Sequence, residues 1–378
     1  MNLEQFRSAF PITGQRAYLF SGAMTPACDR TKSALQEWML LWESRPLLAY
    51  DASFDQIAEL RATIAALFGI DQTRVSVADN TSRASNTAIR LLGCPPGANV
   101  VFDETTYPSS RYPWLTMTQA TPRVATREPG ETYTDAVIRC IDSDTVAVSV
   151  SHVAPLTGVR HTLPPLAEAA HRHGAALIVD VAQTAGVVPI DLDAEGVDMA
   201  VGTTMKWLLG PPGIGFLCAR TEHLESTPGL DLGYMAVDVA GEEWPQATLP
   251  PLWPDSRRLE LGMPSLPVLM PAAAGINLLL EVGIEAVERQ VAELVTYCMD
   301  GLVELGISVR TPSDPKERAG VIAFDLPEAY ELATHLARIG VDVGGYAFGL
   351  GRIDPHGFNT IEDIDRCLGG IREFTSRS

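Results

Sequence analysis

Three features of this 378-residue sequence predict an α/β fold built on a doubly wound, mostly parallel sheet. Short apolar runs rich in β-branched residues alternate with helical patterns, the order that successive βαβ units produce. A proline-rich break, "ATLPPLWPDS" at 247–256, follows this part. Beyond it comes the mixed pattern of a smaller α+β domain. The expected division is a large domain with an N-terminal arm over 1–255 and a small C-terminal domain over 256–378. The length agrees, because 378 residues exceed what one simple core organises.

In chain order, "DQIAELRATIAALFGI" (55–70) has apolar residues at helical spacing and predicts a helix stopped by Gly69. "RVSVAD" (74–79), "NVVFDE" (99–104), "TVAVSVSH" (145–152), "ALIVDVA" (176–182) and "MAVGTT" (199–204) read as buried strands, since a parallel strand is covered on both faces. A helix, "LPPLAEAAHRHG" (163–174), links the third to the fourth, and "IDLDAEGV" makes a short link to the fifth. The most apolar stretch, "LPVLMPAAAGINLLLEVGI" (266–284), contains two prolines and an asparagine. It reads as a core helix with a proline-marked start, not as a membrane span. "GVIAFDLP", "EAYELATHLARIG" and "VDVGGYAF" (320–348) give strand, helix and strand of the small domain.

A formal net charge of −19 argues against nucleic acid or an anionic membrane as partner, because both require clustered Lys and Arg. Six cysteines without a CxxC pair fit a reducing compartment and speak against a disulfide framework or a zinc site. The histidines have no metal-binding spacing; His171 and His173, two apart on a helix, face different directions. No basic segment followed by an apolar one opens the chain, so the cytoplasm is the expected location.

Ligands of doubly wound sheets collect at the carboxyl ends of the strands. Asp180, with Gln183 three residues on, Asn80-Thr81-Ser82, His152 and Lys206 all fall there. Each alone has a plain structural explanation as a cap or hydrogen-bond partner, and His152 is read as structural. Together they describe a ligand. "DNTSRASN" (79–86) places hydroxyls at a strand-to-helix turn, where free N–H groups and the helix dipole attract an anion. Lys206 sits in the apolar "TTMKWLLGPPGIGF" (203–216), a setting that favours the neutral amine over the ammonium. A phosphate for the helix, an aldehyde for the lysine and a ring nitrogen for the aspartate are the parts of pyridoxal 5'-phosphate.

The run "ALIVDVAQTAGVVPIDLDAEGVDMAVGTTMKWLLGPPGIGFLCAR" (176–220) resembles the class V aminotransferase family of fold-type I pyridoxal-phosphate enzymes. That family includes cysteine desulfurases, kynureninases and isopenicillin-N-epimerase-like proteins. "AYLFSGAMTP", "DETTYPSSRYPW", "SHVAPLTG", "RLELGMPS" and "GRIDPHGFNTIEDID" resemble further family segments in the same order, the last an Arg-Ile-Ser-Pro-His stretch. The resemblance implies that Lys206 binds the cofactor covalently and then moves the Cα proton. It implies that Asp180 holds the ring nitrogen, Gln183 the phenolic oxygen, and Thr81, Ser82 and Thr203 the phosphate. Tyr107 would lie over the ring and Arg352 would hold the carboxylate of an amino-acid substrate. The "ELGMPS" loop implies a homodimer, because its counterpart reaches the partner's cofactor.

Departures from the pattern sharpen the reading. Met205 stands where a phosphate-touching histidine or tyrosine is frequent, and Met263 where the family's Glu-x-Gly-Thr-Pro loop has threonine. Pro155 replaces the desulfurase asparagine, and no cysteine occurs between residues 299 and 366, where a desulfurase carries its persulfide-forming thiol. The expected reaction is β-elimination on an S-substituted cysteine or similar β-substituted amino acid. Transamination is the alternative, then epimerisation, because Cα deprotonation is common to all three. A catalytically lapsed cofactor-binding scaffold is the non-enzymatic alternative, and it has no chemical need for Lys206, Asp180 and Arg352 together.

Overall fold

The computed structural model describes residues 1–116, 119–224, 230–239 and 248–376. The first strand, β1 (Ala17–Tyr18), lies in the N-terminal arm. Seven strands then build the central sheet: β2 (Val75–Ala78), β3 (Asn99–Asp103), β4 (Thr121–Ala125), β5 (Thr145–Ser151), β6 (Ala176–Asp180), β7 (Met199–Thr203) and β8 (Gly215–Ala219). Their spatial order is β2-β8-β7-β6-β5-β3-β4. Only β8 runs antiparallel to its neighbours, and the other ladders are parallel. The doubly wound, mostly parallel sheet expected from the sequence is therefore present.

Two of these strands were absent from the sequence reading. β4 is an edge strand carrying Pro122 and Arg123 and is largely exposed, so it lacks the apolar run of a buried strand. β8 follows the glycine- and proline-rich segment after Lys206 and reads as its continuation. The helix expected at 55–70 begins earlier, at Pro46 in the first turn, and ends at Phe68 with Gly69 left-handed at φ +66°. The apolar stretch at 266 forms a short 3-10 turn and then the buried helix Leu269–Val282. Among the described residues no single helix is long and apolar enough to cross a membrane. Leu266–Val282 and Ile284–Glu304 reach that length only together, bent by 81°.

The C-terminal part carries β9 (Ser308–Val309), β10 (Ile322–Asp325), β11 (Val341–Asp342), β12 (Gly344–Tyr346) and β13 (Leu350–Ile353). Four of them form an antiparallel sheet in the order β12-β13-β10-β9. The fifth, β11, pairs in parallel with β1, which brings the N-terminal arm onto the C-terminal segment. Arg7 pairs with Asp363 at 2.8 Å, and the rings of Phe10 and Phe358 lie 4.3 Å apart. The arm thus crosses the molecule and carries residues 20–25 over the carboxyl ends of the central strands.

Candidate active site

Sheet register gathers the site. Ser151 lies opposite Asp180, and Asp180 opposite Val201, so β5, β6 and β7 end in one row. On the other side Gly215 of β8 stands between Thr203 and Ala78. A Cβ at Gly215 would lie 2.4 Å from the carbonyl carbon of Asn80, so glycine lets the start of the helix Thr81–Leu92 press against the sheet. Asn80 caps that helix by accepting from the N–H of Arg83 at 2.9 Å.

Thr81, Tyr107, Asp180, Gln183 and Lys206 line one narrow cleft, with Ser151, Val153, Pro155 and Ala182. These are five of the eight residues singled out from the sequence. Arg352 stands behind the wall, its Nη2 3.4 Å from Gln183 Oε1. Ser82 is exposed and bonds Ser109 at 2.8 Å, and Thr203 donates to the carbonyl of Ile214 at 2.9 Å. Neither side chain is on the cleft wall.

Lys206 Nζ lies 5.7 Å from the Tyr107 ring centre. Its backbone is pinned: Thr25 donates its N–H to the Met205 carbonyl at 3.0 Å and its hydroxyl to the Lys206 carbonyl. Two residues after Trp207, the chain bends at Leu209 with φ +62°, unusual for a branched side chain, and Gly210 closes back on the Thr204 carbonyl at 2.8 Å. Burial lowers the lysine's pKa; Asp180 opposes that shift, Arg352 adds to it, and Asp354 opposes it weakly.

Asp180 is 4% exposed. It accepts from the N–H of Ala182 at 2.9 Å and the hydroxyl of Ser110 at 3.2 Å. Burial raises its pKa, and the charge of Lys206 and these two hydrogen bonds only partly offset that. The carboxylate is therefore short of a cation. Gln183 is fixed at both ends, donating to Gly22 O and accepting from Trp207 Nε1, each at 2.9 Å.

Three contributors escaped the sequence reading. Ser110 and Trp207 orient Asp180 and Gln183, and nothing in their local pattern distinguishes them from core residues. Asp354 did leave a signal: it stands two residues after Arg352 on extended backbone, a spacing that puts both side chains on one face. His152, read as structural, is 2% exposed, and its Nδ1 has no hydrogen-bond partner among the described residues. Burial, with Arg160 and His161 nearby, holds its pKa well below the usual histidine value, so the ring is neutral.

This donor set fits pyridoxal phosphate. A buried carboxylate short of a cation suits a protonated ring nitrogen, and a lysine driven toward its neutral form suits an aldehyde. The helix start beside Thr81, held close by Gly215, suits a phosphate. The orphaned polar atom of His152 lies at the end of the neighbouring strand.

Comparison with known proteins places these residues in context. The profile of the family described as "Aminotransferase class-V" matches residues 17–347. A probable cysteine desulfurase of Aeropyrum pernix is 31% identical over 394 residues, covering 97% of this chain and 92% of that protein. A probable cysteine desulfurase of Halalkalibacterium halodurans is 29% identical over 321 residues, covering 77% and 76%. Among solved structures, the cystine C-S lyase C-DES has the same fold. Its lysine-to-alanine mutant with glycine linked to the PLP cofactor gives a TM-score of 0.87 at 21% identity, covering 97% of this chain and 99% of that one. Its complex with cysteine persulfide gives 0.86 at 20%, covering 96% and 99%. The architecture is that of fold-type I pyridoxal-phosphate enzymes, and the chain belongs to the class V aminotransferase family.

Proposed function

We propose that this enzyme is a pyridoxal-phosphate-dependent C–S lyase, eliminating a thiol from an S-substituted cysteine or a similar β-substituted α-amino acid. The observation that carries the reading is Lys206 beside the buried Asp180, in a cleft with no cysteine in its lining. Pyridoxal phosphate, when bound, supplies a sink for the electron pair left at Cα. Lys206 would attach it, and Asp180 would hold its ring nitrogen protonated. Thr81 and the helix start would hold the phosphate, whereas the hydroxyls of Ser82 and Thr203 are engaged by Ser109 and the Ile214 carbonyl. Tyr107 would cover the ring, and Gln183 would offer its remaining amide N–H to the phenolic oxygen. Arg352 receives the substrate carboxylate.

Lys206 Nζ, lowered in pKa, takes the Cα proton. The Cβ–S bond then breaks with its electron pair on sulfur, and the proton held by Lys206 passes to that sulfur. The enamine left behind is hydrolysed by water to pyruvate and ammonia. Sulfur leaves as a thiol because the chain offers no acceptor: no cysteine lies between 299 and 366, and the flanking Cys298 and Cys367 are buried. Burial pushes the Cys298 thiol well above its usual pKa and that of Cys367 up to about 12. The name of C-DES, a cystine C-S lyase of the same fold, agrees with this reading.

The reading includes a homodimer, supported by an exposed apolar corner that includes Met39, Trp42, Leu47, Tyr50 and Phe54. It includes a boundary near 255/256, and a cytoplasmic location consistent with six free cysteines. The test is incubation of purified enzyme with S-methylcysteine. Stoichiometric methanethiol, pyruvate and ammonia without any added acceptor are expected. A keto acid formed only in step with an amino acceptor, and no thiol, identifies a transaminase instead.

A further inference from the structure

Arg352 is already occupied. Its Nε donates to Asp354 Oδ1 at 2.9 Å, and its Nη2 lies 2.7 Å from Oδ2. The same Nη2 faces Gln183 Oε1 at 3.4 Å, and the Tyr346 side chain hydrogen-bonds the guanidinium as well. Arg352 and Asp354 are 3% and 0% exposed, so this is an interior pair and not a solvated surface contact. The fit is tight: a Cβ on Gly22 would come within 2.1 Å of Arg352 Nη2 and 2.7 Å of Asp354 Oδ2.

The residues around the pair leave no spare positive charge. Asp354 faces Arg352 from its own strand, Lys206 from the loop after β7, and Tyr18 from β1. Gly22 lies against it, so closely that a Cβ there would clash with Oδ2. Asp180 faces Lys206 from β6. The Arg352 guanidinium is therefore already matched by the Asp354 carboxylate. An incoming α-carboxylate makes a second anion on one buried guanidinium, an arrangement in which one carboxylate is driven to take a proton.

We propose that Asp354 is a specificity-determining residue that stands in for the substrate's carboxylate on Arg352, so that capture of the substrate requires Asp354 to take up a proton. This rests on the reading that Arg352 receives an α-carboxylate. Asp354 screens out carboxylates that bind too weakly to force that proton uptake, and it ties substrate affinity to pH. Burial lifts the Asp354 pKa, and Arg352 and Lys206 pull it back.

The test uses the holoenzyme and 3-(methylthio)propionate, the desamino counterpart of S-methylcysteine, which cannot attach to the cofactor. Calorimetric titration in two buffers of different ionisation enthalpy counts protons. The expected result is uptake of about one proton per ligand bound, with affinity falling up to about tenfold per pH unit above the Asp354 transition. In Asp354→Ser and Asp354→Asn the uptake vanishes and the probe binds at least about tenfold more tightly at alkaline pH. For S-methylcysteine the slope of log KM against pH differs by about one between wild type and variant. This difference cancels the titration of the substrate's own amine.

Binding to wild type without proton uptake overturns the proposal, and so do variants with unchanged or weaker affinity, or no binding to any form. If one variant fails to fold, the proton count on the wild type still decides. Thiol release from S-methylcysteine alongside proton-free probe binding removes this inference and leaves the lyase standing. Proton-linked binding without thiol release does the reverse.

Discussion

Two buried aspartates sit at opposite ends of the adjacent central strands β6 and β7, and their environments push them in opposite directions. Asp180 ends β6 and is 4% exposed; Asp198 immediately precedes β7 and is 5% exposed. At Asp198 burial is outweighed by the chain's own donors. His171 Nε2 at 2.8 Å and the Leu177 N–H at 2.6 Å bind one oxygen, while Arg220 and His223 stand 3.5 and 3.6 Å from the other. Its pKa is lowered. Asp180 has one backbone N–H and one serine hydroxyl, and burial raises its pKa despite Lys206. Burial alone therefore does not mark a site. The mark is a buried charge whose counter-ion the fold withholds, because such a group costs stability until a ligand completes it.

The largest expected effect comes from removing the group that faces the unsatisfied carboxylate. Lys206→Ala loses at least about 10⁴-fold in kcat, because one side chain supplies both the covalent attachment and the proton transfer. The yellow absorption band, which borohydride abolishes while fixing the cofactor to the peptide containing residue 206, disappears with it. A variant retaining a tenth of wild-type turnover, or a wild-type protein that stays colourless with added pyridoxal phosphate, breaks the reading of this end of the sheet.

Exchanging the two aspartates for asparagine sharpens the contrast next. Asp198→Asn strips a buried, paired network of its anion and is expected to cost about 3–5 kcal/mol of stability, with kcat of the folded fraction nearly unchanged. Asp180→Asn is expected to lower kcat by about 10²–10³-fold, since the ring nitrogen loses its partner, while the fold survives. Urea unfolding and steady-state kinetics on both variants read the two effects separately. Equal stability losses with equal kinetic losses erase the distinction between the two ends.

The same pattern explains how far the sequence could be read. Strands buried on both faces, such as "ALIVD" and "MAVGT", announce themselves by composition, and their carboxyl ends then name Asp180 and Lys206. β4, half exposed with a proline, carries no such run, and β8 hides behind the turn chemistry of "GPPGIG". Ser82 and Thr203 show the limit at the level of side chains. Both sit at the right place along the backbone, yet their hydroxyls bond Ser109 and the Ile214 carbonyl, and that direction is fixed by packing, not by sequence position. The Arg352–Gln183 contact spans 169 residues, so it depends on how separate elements dock and has no local trace.

Acid and base separate the two carboxylates a third way, in protein stripped of cofactor. The folded pKa of Asp198 is depressed below 3.8, so its contribution is present above that pH and is lost as pH falls through the folded value. The folded pKa of Asp180 is raised above 3.8, so its contribution is present below that pH and is lost as pH rises through the folded value. Asp180→Asn should therefore stabilise the stripped protein relative to wild type by a margin that grows as pH rises. Asp198→Asn should destabilise it by a margin that shrinks in acid. Unfolding free energies at a series of pH values check both: as pH rises the Asp180→Asn protein should gain stability relative to wild type and the Asp198→Asn protein should lose it, and two variants shifting the same way contradict the assignment.

The smallest effect tests whether the catalytic end is complete in its phosphate contacts. Met205 is half-buried, and its backbone carbonyl is held by Thr25, so the position of its side chain beside Lys206 is set by the loop. A thioether is only a weak acceptor and cannot donate to a phosphate, whereas an imidazole can. The family resemblance puts a phosphate-touching histidine or tyrosine at this position. Met205→His adds one donor toward a dianion without altering Lys206 or Asp180. A hydrogen bond of this kind is worth about 1 kcal/mol net, which is about a fivefold lower Kd for pyridoxal phosphate with kcat little changed. Absorbance titration of stripped protein measures it directly. Unchanged or weaker binding means that the phosphate of this enzyme is held entirely from the helix start and its neighbouring hydroxyls, and that Met205 faces away from it.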